Sequence, residues 1–311
     1  MLDATSKAVF HGLAQISTLQ RLASKFGMAR GSGFARRFIA GETVEEAVTC
    51  VQDLRHRGLM LTLDYLGESV SSAAAAAAAA ADYVRIIDAI VKSGIERNIS
   101  LKLTQLGLDV DRATAVDNMR RILEPADANG FFVRIDMENS PYTEVTLEIF
   151  ETLWQQQYRG VGVVLQSCLH RSEADARRVN ALGGRIRVVK GAYREPAAVA
   201  WQQKAEVDAA YVRLMRIVLD EGTYPAIATH DPAMIDAAID YASTRGLPKD
   251  RFEFQMLYGI RRDLQASLLG RGYVMRVYVP FGRQWFPYFM RRLGERPANV
   301  GFVLKSLLRE G

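Results

Sequence analysis

Two adjacent arginines, Arg291 and Arg292, lie near the C-terminus of this 311-residue chain. On a helix they would share one face with Tyr288 and Glu295, because these residues are spaced three, four and seven positions apart. Two neighbouring guanidinium groups present planar sets of N–H donors that suit a carboxylate or a phosphate. Glu295, one turn further on, can hold one of them in place. The pair predicts a clamp for an anionic group, with a solvated basic helix face as the alternative.

The residues just before this pair predict a strand followed by a helix. Residues 273–279 alternate between two sets of side chains in the two-residue period of a strand. Pro280 and Gly282 are expected to end the strand, and a helix is expected to begin near Gln284. The arginine pair then lies on the helix that follows the last strand of the chain.

Segments typical of strands and helices alternate along the rest of the chain. Candidate strands are 59–65, 100–106, 131–136, 161–167, 185–190, 225–229, 251–257 and 273–279, and the longer helical segments are 84–97, 112–128, 142–158 and 205–220. Eight such units within about 250 residues predict an α/β protein with a (β/α)8 barrel of the TIM type. An open doubly wound sheet is the alternative. Its G-x-G-x-x-G motif is missing, since Gly31-Ser32-Gly33 is incomplete and precedes every candidate strand.

The region before the first strand is predicted to add helices to the barrel. Residues 1–56 are expected to form a helical segment packed on a single barrel domain, 57–311. The first 40 residues are poor in acid, as in a mitochondrial transit peptide, but their apolar residues also fit an amphipathic helix, which we favour. Thr43 and Glu46 form a capping-box pattern for a helix that runs to about His56. Nine consecutive alanines, Ala73 to Ala81, favour helix strongly.

Composition and charge narrow the classes of function. The net charge is +5, and the basic residues are scattered rather than interleaved with aromatics, which argues against nucleic acid. Only Cys50 and Cys168 are present, which fits a reducing compartment and argues against a structural zinc site. No apolar run is long enough to span a membrane.

Polar residues stand at the predicted ends of the strands, where a barrel enzyme builds its active site. They are Lys102, Asp136, Gln166, Arg187, Lys190, Thr229 and His230. Glu253 and Arg276 lie two residues deeper on neighbouring strands and predict a buried structural ion pair. Each residue has a structural alternative, such as a salt bridge for a lone lysine. A polar group at every strand end is harder to explain that way, because barrel interiors favour branched apolar side chains.

The residue types also limit the reaction. No nucleophile motif and no H-E-x-x-H or paired-carboxylate metal pattern occurs. The predicted site offers cations: Lys102, Arg187, Lys190, Arg291 and Arg292. Such a site can bind an anionic substrate and an anionic cofactor that performs the chemistry. Two alternatives are a Schiff-base barrel of the aldolase type using Lys102 or Lys190, and a catalytically silent barrel that binds an amino acid.

Eight segments together resemble the proline dehydrogenase family, flavin enzymes that oxidise L-proline to Δ1-pyrroline-5-carboxylate. They are LDYLGE (63–68), SLKLTQLG (100–107), RIDME (134–138), VLQS (164–167), RVVKGAYREP (187–196), ATHD (228–231), FEFQMLYGIRRDLQ (252–265) and YVPFGRQWFPYFMRRLGERPAN (278–299). They occur in the family's order, one per strand end. The resemblance implies a distorted (β/α)8 barrel that holds FAD without a Rossmann motif. It also implies the short, monofunctional bacterial form, a cytoplasmic enzyme of proline catabolism.

The resemblance also implies a chemistry and a set of partners. Hydride passes from C5 of L-proline to N5 of the flavin, and the electrons continue to a quinone, with peripheral contact to the membrane. By position in the motifs, Asp136 and Arg187 are the central active-site residues. The substrate site would contain Lys102, Arg291 and Arg292 at the carboxylate, Tyr193, Leu257 and Tyr288 around the ring, and Glu68 paired with Arg291. The FAD contacts would be Met137, Gln166, Lys190, Gly191, Ala192, Thr229 and His230. Arg194 departs from the pattern, since some members have an aromatic residue there.

Overall fold

The computed structural model describes Met28 and residues 34–290, together with the backbone of residues 291–295. Eight parallel strands close into a barrel in which each strand pairs with the next and β8 pairs with β1. The strands are β1 (Met60–Tyr65), β2 (Asn98–Leu101), β3 (Phe132–Ile135), β4 (Val161–Gln166), β5 (Arg185–Val189), β6 (Ala226–Ala228), β7 (Glu253–Leu257) and β8 (Val274–Phe281). The predicted α/β barrel is confirmed.

Among the described residues, one α-helix precedes the first strand, and an α-helix follows each of the eight strands. They are α1 (Val44–His56), α2 (Ala73–Ser93), α3 (Arg112–Ala128), α4 (Thr143–Gln155), α5 (Ser172–Leu182), α6 (Lys204–Glu221), α7 (Pro232–Thr244), α8 (Arg262–Gly270) and α9 (Trp285–Glu295), with short 3-10 helices at Phe34–Arg37, Thr104–Leu106 and Ser140–Tyr142. The amphipathic helix expected in the first 40 residues lies mostly outside the described residues. The division into a helical segment, 1–56, and a barrel, 57–311, stays a prediction.

Local sequence explains where several helices begin and end. Thr43 caps α1, since its side-chain oxygen accepts a hydrogen bond from the N–H of Glu46 at 3.3 Å. Helix α2 begins at the alanine run, where Ser72 caps it, so it starts eleven residues before the predicted segment. It ends at Ser93 because Gly94 adopts a left-handed conformation, with φ of 66°. The predicted end at residue 97 is therefore wrong.

Two strand ends also differ from the prediction. Strand β2 stops at Leu101, and a 3-10 helix replaces the predicted continuation to residue 106. Strand β8 continues through Pro280 to Phe281, although proline lacks the N–H that a ladder uses. Its carbonyl still pairs, because it accepts a hydrogen bond from the N–H of Ala40 at 2.9 Å. The chain before α1 is thus hydrogen-bonded to the end of β8.

The inside of the barrel is polar, whereas the outward-facing side chains of the strands join the main apolar core. Hydrogen bonds between strands that are not neighbours identify the inward-facing residues. Arg187 on β5 donates to Ser100 on β2, and Tyr278 on β8 donates to Asp136 just after β3. The remaining polar side chains of these strands lie on the same inner face by alternation.

The deepest of these inner groups is the ion pair between Glu253 and Arg276. The guanidinium of Arg276 donates to both carboxylate oxygens, at 2.8 and 2.9 Å, and also to Glu96 at 2.5 Å. Burial alone would raise the pKa of Glu253, but Arg276 holds it below its usual value. The structural pair predicted from the sequence is confirmed.

A second apolar cluster joins the N-terminal segment to the last helix. Phe38 packs against Phe289 with ring centroids 6.1 Å apart, and the indole N–H of Trp285 donates to Glu42 at 3.1 Å. The carbonyl of Arg37 lies against Gly259, where a Cβ would meet it at 1.8 Å. The N-terminal segment is therefore wedged between the loop after β7 and helix α9.

We expect Gly259→Ala to destabilise the protein much more than Gly246→Ala. Both glycines have positive φ, at 76° and 66°, but a Cβ on Gly246 meets nothing within 4 Å. Gly246→Ala should lower the free energy of unfolding by about 1 kcal/mol. Gly259→Ala adds a backbone collision and should cost roughly 3 kcal/mol. Urea unfolding measures both, and equal losses would show that the N-terminal segment does not pack against this loop.

Candidate active site

Three side chains from distant parts of the sequence form a hydrogen-bonded network at the C-terminal ends of the strands. Asp136 accepts from the guanidinium of Arg187 at 2.7 Å through one oxygen, and from the hydroxyl of Tyr278 at 2.7 Å through the other. Arg187 also donates to the hydroxyl of Ser100 at 3.1 Å. Burial raises the pKa of Tyr278 well above its usual value, so its hydroxyl keeps the proton that it donates. The two predicted catalytic residues are thus in direct contact.

Arg187 is buried but incompletely satisfied. Its guanidinium carbon lies 5.2 Å from the ring centre of Tyr278, and the residue is 4% exposed. Within the described part of the chain its Nε has no hydrogen-bond partner. A buried N–H without an acceptor is costly, and a bound ligand with an acceptor atom would satisfy it.

A carboxylate to which the sequence analysis gave no role lies beside this network. Asp64 on β1 is 1% exposed, and neither of its carboxylate oxygens has a hydrogen-bond partner among the described residues. The nearest cation is Lys102, whose Nζ lies 3.8 Å away. Burial raises the pKa of Asp64 above its usual value. The inward face that Asp64 shares with Thr62 by alternation could have identified it.

Lys102 remains a cation in this setting. It follows β2 directly, and its side chain is largely buried. Burial alone would lower the pKa of Lys102, but the carboxylates of Asp64 and Asp136 raise it above its usual value. The prediction of an inward-pointing ammonium is consistent with this contact, although the strand ends one residue before the lysine.

A small cavity between the loop after β1 and helix α9 collects several predicted substrate residues. Its volume is about 30 Å³. Lys102, Glu68 and Tyr288 all line it. Helix α9 extends through residues 291 and 292, but the side chains of Arg291 and Arg292 lie outside the described residues, and so does the predicted pair between Glu68 and Arg291. The structure brings three of the seven predicted substrate residues to one cavity.

The other two described substrate residues, Tyr193 and Leu257, lie at the C-terminal ends of β5 and β7. Tyr193 lies in the loop after β5 and is 40% exposed. Leu257 ends β7, and its backbone N–H donates to Nε2 of His230 at 2.9 Å. Because Nε2 of His230 accepts this bond, the proton of the neutral ring lies on Nδ1.

Lys190 occupies a cluster of charges that the sequence analysis did not foresee. Its ammonium donates to Asp208 at 2.5 Å and to Asp231 at 2.7 Å, and Lys204 also reaches Asp208. The bond from Lys190 is the largest reason why the pKa of Asp231 is below its usual value. A pyrophosphate at Lys190 would therefore share this lysine with two carboxylates.

Both the backbone conformation and the lack of space at position 191 require a glycine. Its φ is 105°, and a Cβ there would lie 2.4 Å from Sγ of Cys168 and 3.2 Å from Oε1 of Gln166. Gln166 is fixed in turn, since its amide donates to the carbonyl of Glu138 at 2.8 Å. The predicted cofactor residues stand at or just after the ends of β3, β4, β5 and β6: Met137, Gln166, Lys190, Gly191, Ala192, Thr229 and His230. A glycine backbone beside a lysine and the unsatisfied Nε of Arg187 are compatible with an anionic, hydrogen-bonding cofactor such as FAD.

The described residues form neither a metal site nor a membrane-spanning helix. Among these residues, no three His, Cys, Asp or Glu side chains are grouped so that they could hold a metal ion. In the same part of the chain, no helix is both long and apolar enough to cross a membrane.

The fold and the site define a (β/α)8 barrel whose strand ends offer buried cations to an anionic ligand. Residues 47–305 match the family model described as proline dehydrogenase. Proline dehydrogenase 1 of Bacillus subtilis (strain 168) is 42% identical over 302 residues, which cover 97% of this chain and 99% of the relative. Proline dehydrogenase of Deinococcus radiodurans is 44% identical over 279 residues, 88% of this chain and 90% of the relative. The chain belongs to the proline dehydrogenase family.

A solved structure agrees with this assignment. Proline utilization A (PutA) from Bdellovibrio bacteriovorus, inactivated by N-propargylglycine, superposes with a TM-score of 0.79 at 28% identity. The match covers 84% of this chain and 32% of that protein, so the chain spans about a third of its length. The similarity therefore concerns the barrel.

We expect Asp64→Asn to become more stable relative to the natural protein as the pH rises. The pKa of Asp64 is raised in the folded state, so its contribution to stability is present below its unfolded pKa of 3.8 and is lost as the pH rises through the folded value. Asparagine does not titrate. Unfolding free energies between about pH 4 and pH 8 measure the difference. The control is Asp88→Asn on the exposed face of α2. The same pH trend in both variants would contradict the prediction.

Proposed function

We propose that the protein oxidises L-proline to Δ1-pyrroline-5-carboxylate, the first step of proline catabolism, with FAD as cofactor and a quinone as electron acceptor. The observation that carries the proposal is the contact of Asp136 with Arg187 and Tyr278 beside Lys102, in a chain of this family. Bound FAD supplies the hydride acceptor, N5 of its ring system. We place the reaction at the C-terminal ends of the strands and the protein in the cytoplasm. A quinone acceptor implies peripheral contact with the membrane.

Arg187 is the residue that we assign to the developing charge. It is buried, hydrogen-bonded to Asp136 and Ser100, and its Nε has no partner among the described residues. A fixed guanidinium in a low-dielectric site stabilises negative charge that develops beside it, and its orientation is paid for in folding. Lys190 and the backbone of Gly191 are assigned to the pyrophosphate. The other cofactor contacts are assigned to Met137, Gln166, Ala192, Thr229 and His230.

The substrate carboxylate is assigned to Lys102, Arg291 and Arg292. Three cations around one carboxylate fix both its position and its orientation, because two of them are planar forks. Tyr193, Leu257 and Tyr288 would bound the apolar ring, and Glu68 would pair with Arg291 once substrate is bound. Holding the ring in one orientation converts the reaction into an effectively unimolecular step, which is a large share of the rate acceleration.

We assign Asp136 an orienting role. Both of its oxygens already accept a hydrogen bond, one from Arg187 and one from Tyr278. Each carboxylate oxygen can accept a second bond, so Asp136 can still receive an N–H from the substrate nitrogen.

A Schiff-base mechanism is the less favoured alternative. It requires a neutral lysine amine, whereas carboxylates surround both candidate lysines. Asp64 and Asp136 outweigh burial at Lys102 and raise its pKa, and Lys190 bridges two aspartates.

The decisive experiment is the absorbance spectrum of the purified protein before and after anaerobic addition of L-proline. We expect a flavin spectrum that bleaches on addition. A colourless protein that cannot be reconstituted with FAD would contradict the proposal, and trapping of a substrate by borohydride would then favour the Schiff-base alternative. A flavin that does not bleach while L-proline binds would point to the catalytically silent barrel.

Replacing Arg187 with methionine should slow flavin reduction by roughly a hundredfold. The reason is the loss of the buried cation that opposes developing negative charge. Stopped-flow mixing with L-proline measures the rate. Arg213→Met, on the exposed side of α6 where Arg213 pairs with Glu173, is the matched control and should leave the rate unchanged. A natural rate of reduction in Arg187→Met would remove the role assigned to it.

Arg291→Lys and Arg292→Lys should each raise the KM for proline by roughly tenfold and leave the flavin content unchanged. Lysine keeps the charge but lacks the planar fork that grips a carboxylate at two points. Steady-state kinetics measures the first quantity, and the ratio of flavin to protein absorbance measures the second. Natural kinetics in both variants would exclude the arginine clamp.

A further inference from the structure

A second cavity opens at the opposite end of the barrel, where the strands begin. Its volume is about 640 Å³, within the range of ligand sites, and we name it the basal cavity. Arg97, Arg159, Arg185 and Arg276 line it together with Phe132 and Tyr224. We propose that the basal cavity binds an anion that carries a phosphate group. This proposal does not depend on the reaction assigned to the other end of the barrel.

Arg185 lies between two aromatic rings of the basal cavity. Its guanidinium carbon lies 5.0 Å from the ring centre of Phe132 and 5.3 Å from that of Tyr224. Among the described residues no carboxylate lies within salt-bridge distance of it. Two aromatic rings hold the guanidinium plane and leave its polar edges for a ligand. This is the arrangement expected of an arginine that recognises an anion.

The two neighbouring arginines are likewise satisfied by neutral groups in the described part of the chain. Arg97 donates to the carbonyl of Asn129 at 2.6 Å. Arg159 donates to the carbonyl of Trp154 and to the side chain of Gln157. Each keeps further N–H groups for a ligand, since a guanidinium has more donors than these bonds use.

A buried cation behind the cavity wall adds to the positive field. Arg134 is 3% exposed, and its guanidinium carbon lies 4.6 Å from the ring centre of Phe132. Its hydrogen bonds go to the carbonyls of Val163, at 3.0 Å, and Arg185, at 2.6 Å. In the described residues it has no carboxylate in salt-bridge contact. An unpaired buried cation is costly, and an anion in the adjacent cavity offsets part of that cost.

The carboxylates near the cavity do not cancel these charges. Glu253 is engaged by Arg276 through both oxygens, and Glu96 binds Arg276 and the N–H of Leu61. Asp127 lies at the rim, with an oxygen 3.7 Å from where a Cβ on Gly160 would be. These three acids accompany five arginines: Arg97, Arg134, Arg159, Arg185 and Arg276. The set therefore keeps an excess of two positive charges.

Two backbone features accompany the cluster of arginines and aromatic rings in the basal cavity. Tyr224 has a φ of 51°, a left-handed conformation that costs energy for a residue other than glycine. Gly162 lies beneath the cluster, and a Cβ there would come within 2.5 Å of the Arg185 carbonyl, 2.7 Å of the Phe132 ring and 2.9 Å of the Arg134 guanidinium. A larger residue at position 162 would displace the aromatic ring and both arginines.

The chemistry of the basal cavity identifies a phosphate group as the ligand, and two kinds of molecule could supply that group. Guanidinium groups bind the oxygens of a phosphate in pairs, and several arginines around one cavity suit a tetrahedral dianion better than a single carboxylate. A soluble phosphate compound and the headgroup of an anionic phospholipid both present such oxygens. The experiment must separate them.

The first arm measures binding of inorganic pyrophosphate to the FAD-loaded protein by calorimetry, with sodium chloride at matched ionic strength as the reference. Arg185→Gln and Arg159→Gln should each weaken binding about tenfold. Arg177→Gln, which removes one exposed arginine from α5, should leave it unchanged. Arg159 is exposed, so its variant tests the site even if Arg185→Gln fails to fold. Unfolding temperature and flavin content report on the fold of each variant.

The second arm measures sedimentation with phosphatidylglycerol vesicles and with phosphatidylcholine vesicles. Binding to the first alone, lost in Arg185→Gln and Arg159→Gln, would support the proposal with a lipid headgroup as the source. Pyrophosphate binding without vesicle binding would support it with a soluble phosphate compound. No binding in either arm, or equal losses in the Arg177→Gln control, would overturn the proposal.

Discussion

The barrel depends on hydrogen bonds between the charged and polar side chains inside it. Arg187 on β5 reaches Asp136 after β3, and Tyr278 on β8 reaches the same carboxylate. Deeper, Arg276 on β8 binds Glu253 on β7 through two hydrogen bonds. Unpaired charges in such an interior would cost several kcal/mol each. The pairs therefore fix the relative heights of the strands as well as their own geometry.

The deeper charges, Glu253 and Arg276, and the upper charges around Arg187 differ in how many of their polar atoms have hydrogen-bond partners. In the deeper layer, both oxygens of Glu253 accept a hydrogen bond from Arg276. In the upper layer, Nε of Arg187 and both oxygens of Asp64 lack hydrogen-bond partners within the described residues. Groups left unsatisfied in an otherwise complete network are those that a ligand can engage. The upper layer is accordingly where we place the substrate and the cofactor.

Much of the fold could be predicted because its signals are local. Alternating side chains gave the strands, and two strand positions with opposite charges gave the pair of Glu253 and Arg276. Other features were missed because their causes lie far away in the sequence. Lys190 is neutralised by Asp208 and Asp231, which are 18 and 41 residues away. Pro280 lies within β8, and its carbonyl accepts a hydrogen bond from the N–H of the distant Ala40. Such partners have no periodicity that a sequence pattern can report.

The position of the proposed carboxylate clamp follows from these distant contacts. Helix α9 carries Arg291 and Arg292, and its first turn is held by the bond from Trp285 to Glu42. The chain before it is held as well, because the N–H of Gly282 donates to the carbonyl of Gly41 at 2.9 Å. Residues 40–42 thus bind both the end of the last strand and the start of the last helix. The position of the start of helix α9 is therefore set by the segment that precedes the barrel, and we expect a change in that segment to alter proline binding without touching any residue of the proposed site.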